Sequence, residues 1–431
     1  MEPFVLRGYI NDWPAMKWTL ESLNEVVRPS SSTEHLEIRF GAKKHVRGKI
    51  LFENESRRVS ISDLSTMVKW FIGDLPLITN DGHVIRSDTY WAYFDYKYIF
   101  EVLQSQRISD INWRIFGVNV NPIDSTIWIG TPGAYTPCHF DSYGFNLHAQ
   151  LKGAKRWILI EPQEDMKPTR IPYEESTVFS RVDVVGGEAY LRNVRLRMVT
   201  LKAGDVLFVP PGWWHSVQCV TPDGCNANSK DAISLSVNTW IPVPLFDRIG
   251  RVREATTCTL VSLLTEGELM TDGDLCPSES SSICLQESME QLKTVVDDLK
   301  KNCEVDRISE GNEANCTSDG QPTCKRAKCN KNDDDYEVAI MSREKDAGEL
   351  HEFLRRYETN GIVVPSVTYE DLLKELKNGP LELVDEDYSS DTKDGSIPES
   401  DISMQQRRFI DALTCPETVQ AIIDHMLEWE H

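Results

Sequence analysis

Short runs rich in Ile, Val and aromatic residues, separated by Gly, Pro and Asp, dominate residues 125–243. They fall at 125–130, 144–151, 156–161, 198–202, 206–209, 216–220 and 232–240. Many short strands at that spacing predict an antiparallel sandwich or jelly roll. Upstream, Phe4-Val5-Leu6 reads as a strand, Asn11-Asp12-Trp13-Pro14 as a turn, and residues 20–27 as a helix. Trp13 and Trp18 bracket that turn and read as core anchors. Residues 35–100 alternate strand-like and helix-like pieces. Ser62-Asp63 suits the start of a helix through Phe71, because a short polar side chain can accept a first-turn N–H. The aromatic-rich run 89–100 is expected to lie against the barrel.

Beyond residue 243 the period changes. Residues 245–264 repeat helically and are expected to cover one end of the barrel. Residues 271–335, rich in Ser, Asp, Glu, Asn and Lys, have the composition of a disordered linker, with one candidate helix at 288–301. Helical patterns return at 346–357 and 368–377. A second acidic linker is expected at 385–402, then a terminal helix pair at 403–413 and 417–429, with Cys415-Pro416 as the turn. The expected organisation is a domain over 1–265 with its barrel core at 125–243, a polar linker over 266–345, and a helical extension over 346–431.

Charge sharpens that division. Residues 1–245 hold 26 Lys+Arg and 27 Asp+Glu, a net of −1. The whole chain holds 46 and 68, so the remainder holds 20 and 41, a net of −21. Ten of the eleven Trp also lie in the first part. The packed core is therefore N-terminal, and the acidic character belongs to residues 246–431. Such a balance argues against sequence-independent nucleic-acid binding, which needs basic surface. The start of the chain lacks a signal-peptide pattern, and no apolar run is long enough for a membrane helix. The eleven Cys are odd in number and irregularly placed. The expectation is a cytoplasmic or nuclear protein whose Cys are free thiols.

The chemistry concentrates in Thr136-Pro137-Cys138-His139-Phe140-Asp141. In a strand, residues two apart project from one face, so His139 and Asp141 can offer an imidazole nitrogen and a carboxylate oxygen to one ion. A third ligand lies 76 residues on, in Gly204-Asp205-Val206-Leu207-Phe208-Val209-Pro210-Pro211-Gly212-Trp213-Trp214-His215. There a turn, a buried strand and a Pro-Pro-Gly reversal lead into a strand opened by His215, with Trp213 and Trp214 fixing its approach. Two His and one carboxylate leave open positions on a metal, the pattern of non-haem Fe(II) oxygenases, whereas structural zinc prefers closed four-ligand sites. The bland alternative, a core hydrogen bond between His139 and Asp141, does not account for the second segment.

At these residues the chain resembles JmjC-domain proteins of the asparaginyl-hydroxylase-like group. Further strings carry the resemblance: Trp128-Ile129-Gly130, Ser142-Tyr143-Gly144, Asn146-Leu147, Lys155-Arg156-Trp157, Trp91-Ala92-Tyr93, and Pro168-Thr169-Arg170-Ile171-Pro172-Tyr173. They are similar to the heat-shock-protein-beta-1-associated protein 1 group. The resemblance covers roughly residues 1–265. It implies a double-stranded β-helix, Fe(II), O₂ and 2-oxoglutarate as cosubstrate. It also implies Thr136 and Lys155 as holders of the cosubstrate's distal carboxylate, and Asn146 and Asn238 as pocket residues. Asn146 matches only with one extra residue after Asp141. The group's name records association with a small heat-shock protein, which points to a stress-response role, and related hydroxylases form homodimers through C-terminal helices. The substrate is not implied by the fold; a protein is expected ahead of an RNA.

The residues around Lys155 support the same direction. If Lys152-Gly153 is a two-residue hairpin turn, Lys155 pairs with Gln150 and shares a face with Asn146 and His148. A Lys aimed into a barrel needs an anionic partner; the alternative is a solvated Lys beside a turn. His148 reads as a hydrogen-bonded core or pocket residue rather than a fourth ligand. Tyr173-Glu174-Glu175 lies in a Pro-bounded loop that can overhang the pocket mouth or stay solvated. Cys316, Cys324 and Cys329 lack the paired CxxC spacing of a zinc framework and read as unpaired thiols. Two functions compete: an Fe(II)- and 2-oxoglutarate-dependent hydroxylase, and a catalytically slow or silent interaction protein whose acidic tail binds a partner.

Overall fold

The computed structural model describes residues 1–27, 35–52, 56–79, 82–103, 105–169, 177–264, 285–313, 348–385 and 404–428. Tyr173, Glu174, Glu175, Cys316, Cys324 and Cys329, with the second acidic linker from residue 386 on, lie outside the described residues. The chain divides into two compact units. One is built on residues 1–242 together with described residues 352–385; the other holds the remaining helices.

The first unit opens with β1 (Phe4–Leu6) and α1 (Leu20–Asn24). It continues through β2 (Leu36–Ala42), β3 (Lys44–Val46), β4 (Arg57–Ile61) and α2 (Leu64–Phe71). Asp63 caps α2 by accepting from Thr66 N–H, as its position before the apolar run predicts. Two short strands follow, β5 (Leu77–Ile78) and β6 (Val84–Ile85), then β7 (Tyr90–Tyr98) and α3 (Ile99–Val102). The barrel strands are β8 (Thr126–Gly130), β9 (Tyr135–Asp141), β10 (Phe145–Lys152), β11 (Ala154–Ile160), β12 (Thr177–Phe179), β13 (Leu196–Lys202), β14 (Val206–Val209), β15 (Trp214–Val220) and β16 (Ser234–Ile241).

These strands form two antiparallel sheets of a jelly roll. A nine-stranded sheet contains the run β1-β14-β10-β16-β8-β7-β2-β4, and the core of the other runs β12-β9-β15-β11-β13. The expected jelly roll is therefore the observed architecture. Alternation along β11 divides its side chains. Trp157 and Leu159 join Val5, Leu201, Leu207 and Val217 in the core between the sheets. Ile158 and Ile160 face outward, beneath a later helix.

The hairpin expected at Lys152-Gly153 does not form. β10 is already flanked by β14 and β16, so it has no free edge, and β11 pairs with β13 and β15 in the other sheet. A tight type I′ turn needs positive φ at both central residues; here Gly153 has it (φ 67°) and Lys152 does not. A Cβ on Gly153 would sit 2.7 Å from Ile233 O, so glycine lets the chain cross closely from one sheet to the other.

The second unit is helical: α4 (Pro244–Leu264), α5 (Leu285–Glu313) and the start of α6 (Gly348–Tyr357), whose later residues return to the first unit. Ile249 and Val252 of α4 pack with Val296 and Leu299 of α5 and with Val419 and Ile423 near the C-terminus. The helix expected at 288–301 is longer at both ends.

Residues 352–385 depart from the expected peripheral extension. They add β17 (Ile362–Val363) beside β1 and β18 (Ser366–Val367) beside β13. α7 (Tyr369–Lys377) follows, and β19 (Glu382–Val384) pairs parallel with β3. Val364 donates its N–H to Pro3 O. Leu372 and Leu376 of α7 bury against Ile158, Ile160 and Trp214, on the back of the strands that carry His139 and His215. Arg156, on the same outer face, reaches Glu375 at 3.1 Å. Last come α8 (Met404–Leu413) and α9 (Pro416–Glu428), the expected terminal pair, in the second unit.

Leu372 is fully buried. Leu372→Ala should lower stability by about 2–5 kcal/mol through lost burial and a residual cavity. Chemical denaturation followed by Trp fluorescence measures this, and a loss below about 1 kcal/mol would make the helix a dispensable attachment.

Candidate metal centre

β9 and β15 run side by side with His139 paired directly opposite His215. The alternation that places His139 on the inner face places Asp141 there as well. The three ligand atoms lie within 4.8 Å of one another. His139 Nε2 is 4.0 Å and His215 Nε2 3.9 Å from the Asp141 carboxylate. Each ring is held from behind: His139 Nδ1 lies 2.8 Å from Pro137 O, and His215 Nδ1 2.9 Å from Trp213 O. A carbonyl can only accept, so Nδ1 carries the proton and Nε2 presents its lone pair. Burial, then the neighbouring His215, pushes the His139 pKa down to about 4 against the pull of Asp141. Its imidazole is therefore neutral at physiological pH. Trp240 Nε1 donates to Asp141 Oδ2 at 2.8 Å and fixes that carboxylate. Two oriented imidazoles and one carboxylate suit a divalent cation and leave part of its coordination sphere open.

A β-bulge shapes this wall. Between the His139–His215 pair and the Thr136–Val217 pair, β9 spends one residue more than β15. In a regular strand Thr136 and His139, three apart, would face opposite ways; with the extra residue at Pro137-Cys138 both line the cavity. β7 carries a similar irregularity between Phe94 and Lys97, where Tyr96 has φ 50°, and Tyr93 and Tyr96 both line the cavity as well.

The cavity lies between the sheets and encloses about 590 Å³ including its open mouth. Its lining brings together all seven residues expected from the sequence: Thr136, His139, Asp141, Asn146, Lys155, His215 and Asn238. Asn238 donates to Asn146 Oδ1 at 3.1 Å. It accepts from Trp128 Nε1 at 2.7 Å and from the Thr126 hydroxyl. These bonds tie the two amides to the wall.

Lys155 is 1% exposed. Its ammonium donates to Tyr93 Oη at 3.1 Å and lies 5.4 Å from the ring centres of Tyr93 and Trp128. Among the described residues no carboxylate forms an ion pair with it. Burial lowers its pKa to about 8, opposed by Cys219 and Asp95. The hairpin register assumed for Lys155 is thus incorrect, yet the side chain still enters the cavity, because odd positions of β11 face inward. Tyr93, Trp128 and Trp240 are the contributors that sequence reasoning left without a role. Tyr93 stood inside the aromatic run read as packing, and its spacing from the ligands carries no chemical signal.

Residues 1–242 match the family model described as a cupin-like domain. Among curated proteins, the chain is 36% identical over 307 residues to "HSPB1-associated protein 1 homolog" of Danio rerio, an alignment covering 68% of this chain and 64% of that protein. It is 35% identical over 276 residues to "HSPB1-associated protein 1" of Homo sapiens, covering 62% and 53%. A shorter match, 32% over 124 residues, is to "Jumonji C domain-containing protein 5" of Drosophila melanogaster, 27% of each. The chain thus spans between half and two thirds of the length of the first two relatives.

The geometry yields a direct test. His139→Ala and Asp141→Ala should each weaken Mn(II) binding beyond the roughly 10–100-fold that loss of an outer-shell partner costs. The hydrophobic core between the sheets should keep both variants folded. Mn(II) titration by electron paramagnetic resonance reads the affinity, and unchanged binding in either variant would remove that residue from the ligand set.

Proposed function

The chain belongs to the cupin-like domain family, and from that premise we propose that it is an Fe(II)- and 2-oxoglutarate-dependent oxygenase that hydroxylates a protein substrate. The observation that carries this reading is the buried Lys155 ammonium. It has no carboxylate partner among the described residues, and it shares a cavity with His139, Asp141 and His215. A cation removed from water is costly unless an anion compensates it. A small diacid held by the metal at one end and by Lys155 at the other would provide that anion.

In this reading His139, Asp141 and His215 hold iron. Lys155 and Thr136 hold the distal carboxylate of 2-oxoglutarate, and Asn146 and Asn238 shape the wall beside it. Bound iron supplies the redox chemistry that couples decarboxylation of the oxo acid to hydroxylation by O₂. The chain's own residues orient and exclude. The carbonyls of Pro137 and Trp213 lock the two imidazole tautomers. Trp240 steadies Asp141, and the apolar packing around Trp157 and Val217 keeps bulk water from the inner end.

A second reading is favoured by the names of the relatives. They point to association with a small heat-shock protein, and a catalytically silent barrel could serve such a role. Conversion of 2-oxoglutarate to succinate by purified protein with Fe(II) and ascorbate separates the two: succinate above a His139→Ala control supports the oxygenase, and none supports the interaction protein.

Two further outcomes follow from Lys155. With Mn(II) in the site, Lys155→Ala should weaken 2-oxoglutarate binding roughly tenfold to hundredfold, the worth of a charge-assisted bond. Arg should rescue it poorly, since its planar head is larger. The wild-type affinity should be pH-dependent. Below about pH 8 Lys155 is an ammonium and binding is full; above it the proton is lost and affinity falls, approaching tenfold per pH unit. Calorimetry at pH 7 and 9 measures both, and a flat profile together with unaffected Lys155→Ala binding would detach Lys155 from the cosubstrate.

A further inference from the structure

Opposite the Lys155 wall, β10 carries His148, one alternation beyond Asn146. The side chain is 3% exposed and lines the cavity. Its Nε2 has no hydrogen-bond partner among the described residues. Trp157, whose ring centre lies 4.8 Å from that of His148, also lines the cavity, and its Nε1 is likewise without a partner. On its other side Trp157 stacks on the ring of His215 at 5.4 Å. Two polar atoms are thus buried without partners on neighbouring residues of the cavity that holds both the metal triad and Lys155. A buried polar atom left unpaired carries its full desolvation cost. Native interiors rarely leave such groups unmatched unless something else meets them.

We propose that His148 is a specificity-determining contact of the cosubstrate pocket, its Nε2–H donating to a carboxylate oxygen of the bound oxo diacid. This rests on the oxygenase reading above and adds to it a residue on the other sheet. Burial and the nearby Lys155 charge hold the imidazole neutral. A neutral imidazole beside an ammonium can add a donor without adding a second positive charge. Lys155 already supplies the charge, so His148 supplies direction: its ring is fixed against Trp157, and its donor meets only an oxygen at the right depth. An oxo acid lacking the second carboxylate would lose the Lys155 contact, and a longer diacid would carry its oxygens past the imidazole. Trp157 Nε1 is placed to serve the same ligand, but its ring is also the support of His215, so the test is made on His148.

The variant is His148→Phe, which keeps an aromatic ring against Trp157 and removes the nitrogen. With Mn(II) bound, calorimetry compares 2-oxoglutarate with 2-oxoadipate, the homologue bearing one more methylene. The expected result is a roughly tenfold or greater loss of 2-oxoglutarate affinity. The preference over 2-oxoadipate should narrow, while Mn(II) affinity and thermal midpoint stay unchanged or the midpoint rises. His148→Gln, which restores a donor at about the same reach but on a flexible chain, should recover part of the affinity. Unchanged 2-oxoglutarate affinity and selectivity in His148→Phe would overturn the proposal while leaving the oxygenase reading intact. Wild-type protein that binds Mn(II) but no 2-oxoglutarate would overturn both. A His148→Phe variant that loses Mn(II) and melts early, with His148→Gln doing the same, would make the residue structural and also overturn the proposal.

Discussion

The direct pairing of His139 with His215 governs much else in the barrel. Two imidazoles whose ring centres are 4.2 Å apart, beside a carboxylate, can sit together inside a core only if each polar atom is met. The backbone meets half of the imidazoles' need, since the carbonyls of Pro137 and Trp213 each take one ring nitrogen. That leaves two imidazole lone pairs and a carboxylate facing inward, about 4 Å apart, as a set of electron-pair donors suited to one cation. The strands that hold this arrangement must be rigid. The sheet around them is accordingly buried on both faces, with the apolar layer of Trp157, Leu159 and Val217 within and the layer of Ile158, Ile160 and Trp214 without.

That double burial explains why residues 352–385 belong to the barrel. The outer face of β9, β15 and β11 is apolar and would otherwise meet water. α7 covers it with Leu372 and Leu376, and the short strands around α7 pin it to both sheets. Arg156 and Glu375 close the edge of this contact. A half-exposed ion pair of that kind contributes little to stability. The buried leucines carry the attachment.

Two bulges set the chemistry of the inner wall. The extra residue at Pro137-Cys138 turns Thr136 toward the same space as His139, and the irregularity near Tyr96 lets Tyr93 and Tyr96 share a face. Bulges next to a site re-aim side chains that regular alternation would send elsewhere. Beside the second one Tyr93 meets the Lys155 ammonium. The cavity is consequently asymmetric, with metal-type donors at one end, the Lys155 ammonium toward the other, and the neutral polar groups of Asn146, His148 and Asn238 along the facing sheet.

The sequence by itself determined the class of fold, the metal-type triad and the polarity of the chain. Short β-rich runs broken by turns require an antiparallel barrel, and His139 and Asp141 two apart must share a strand face wherever that strand lies. Asp63 as a helix cap was legible for the same reason, since it depends on residues a few positions away. What the tertiary structure alone decided involves partners far apart in the chain. The sequence reading sent Lys155 inward through a hairpin; the structure sends it inward through a sheet crossing at Gly153, because both edges of β10 were already taken by β14 and β16. Spacing alone would have turned Thr136 away from His139, and only the pairing with β15 exposes the bulge that brings them together. Residues 352–385 read as a peripheral helix, since their strands are two or three residues long and gain their identity only from neighbours more than a hundred residues away. Local patterns are written in the order of the residues, whereas the choice of edge, bulge and cover depends on which surfaces remain free once the rest of the barrel has closed.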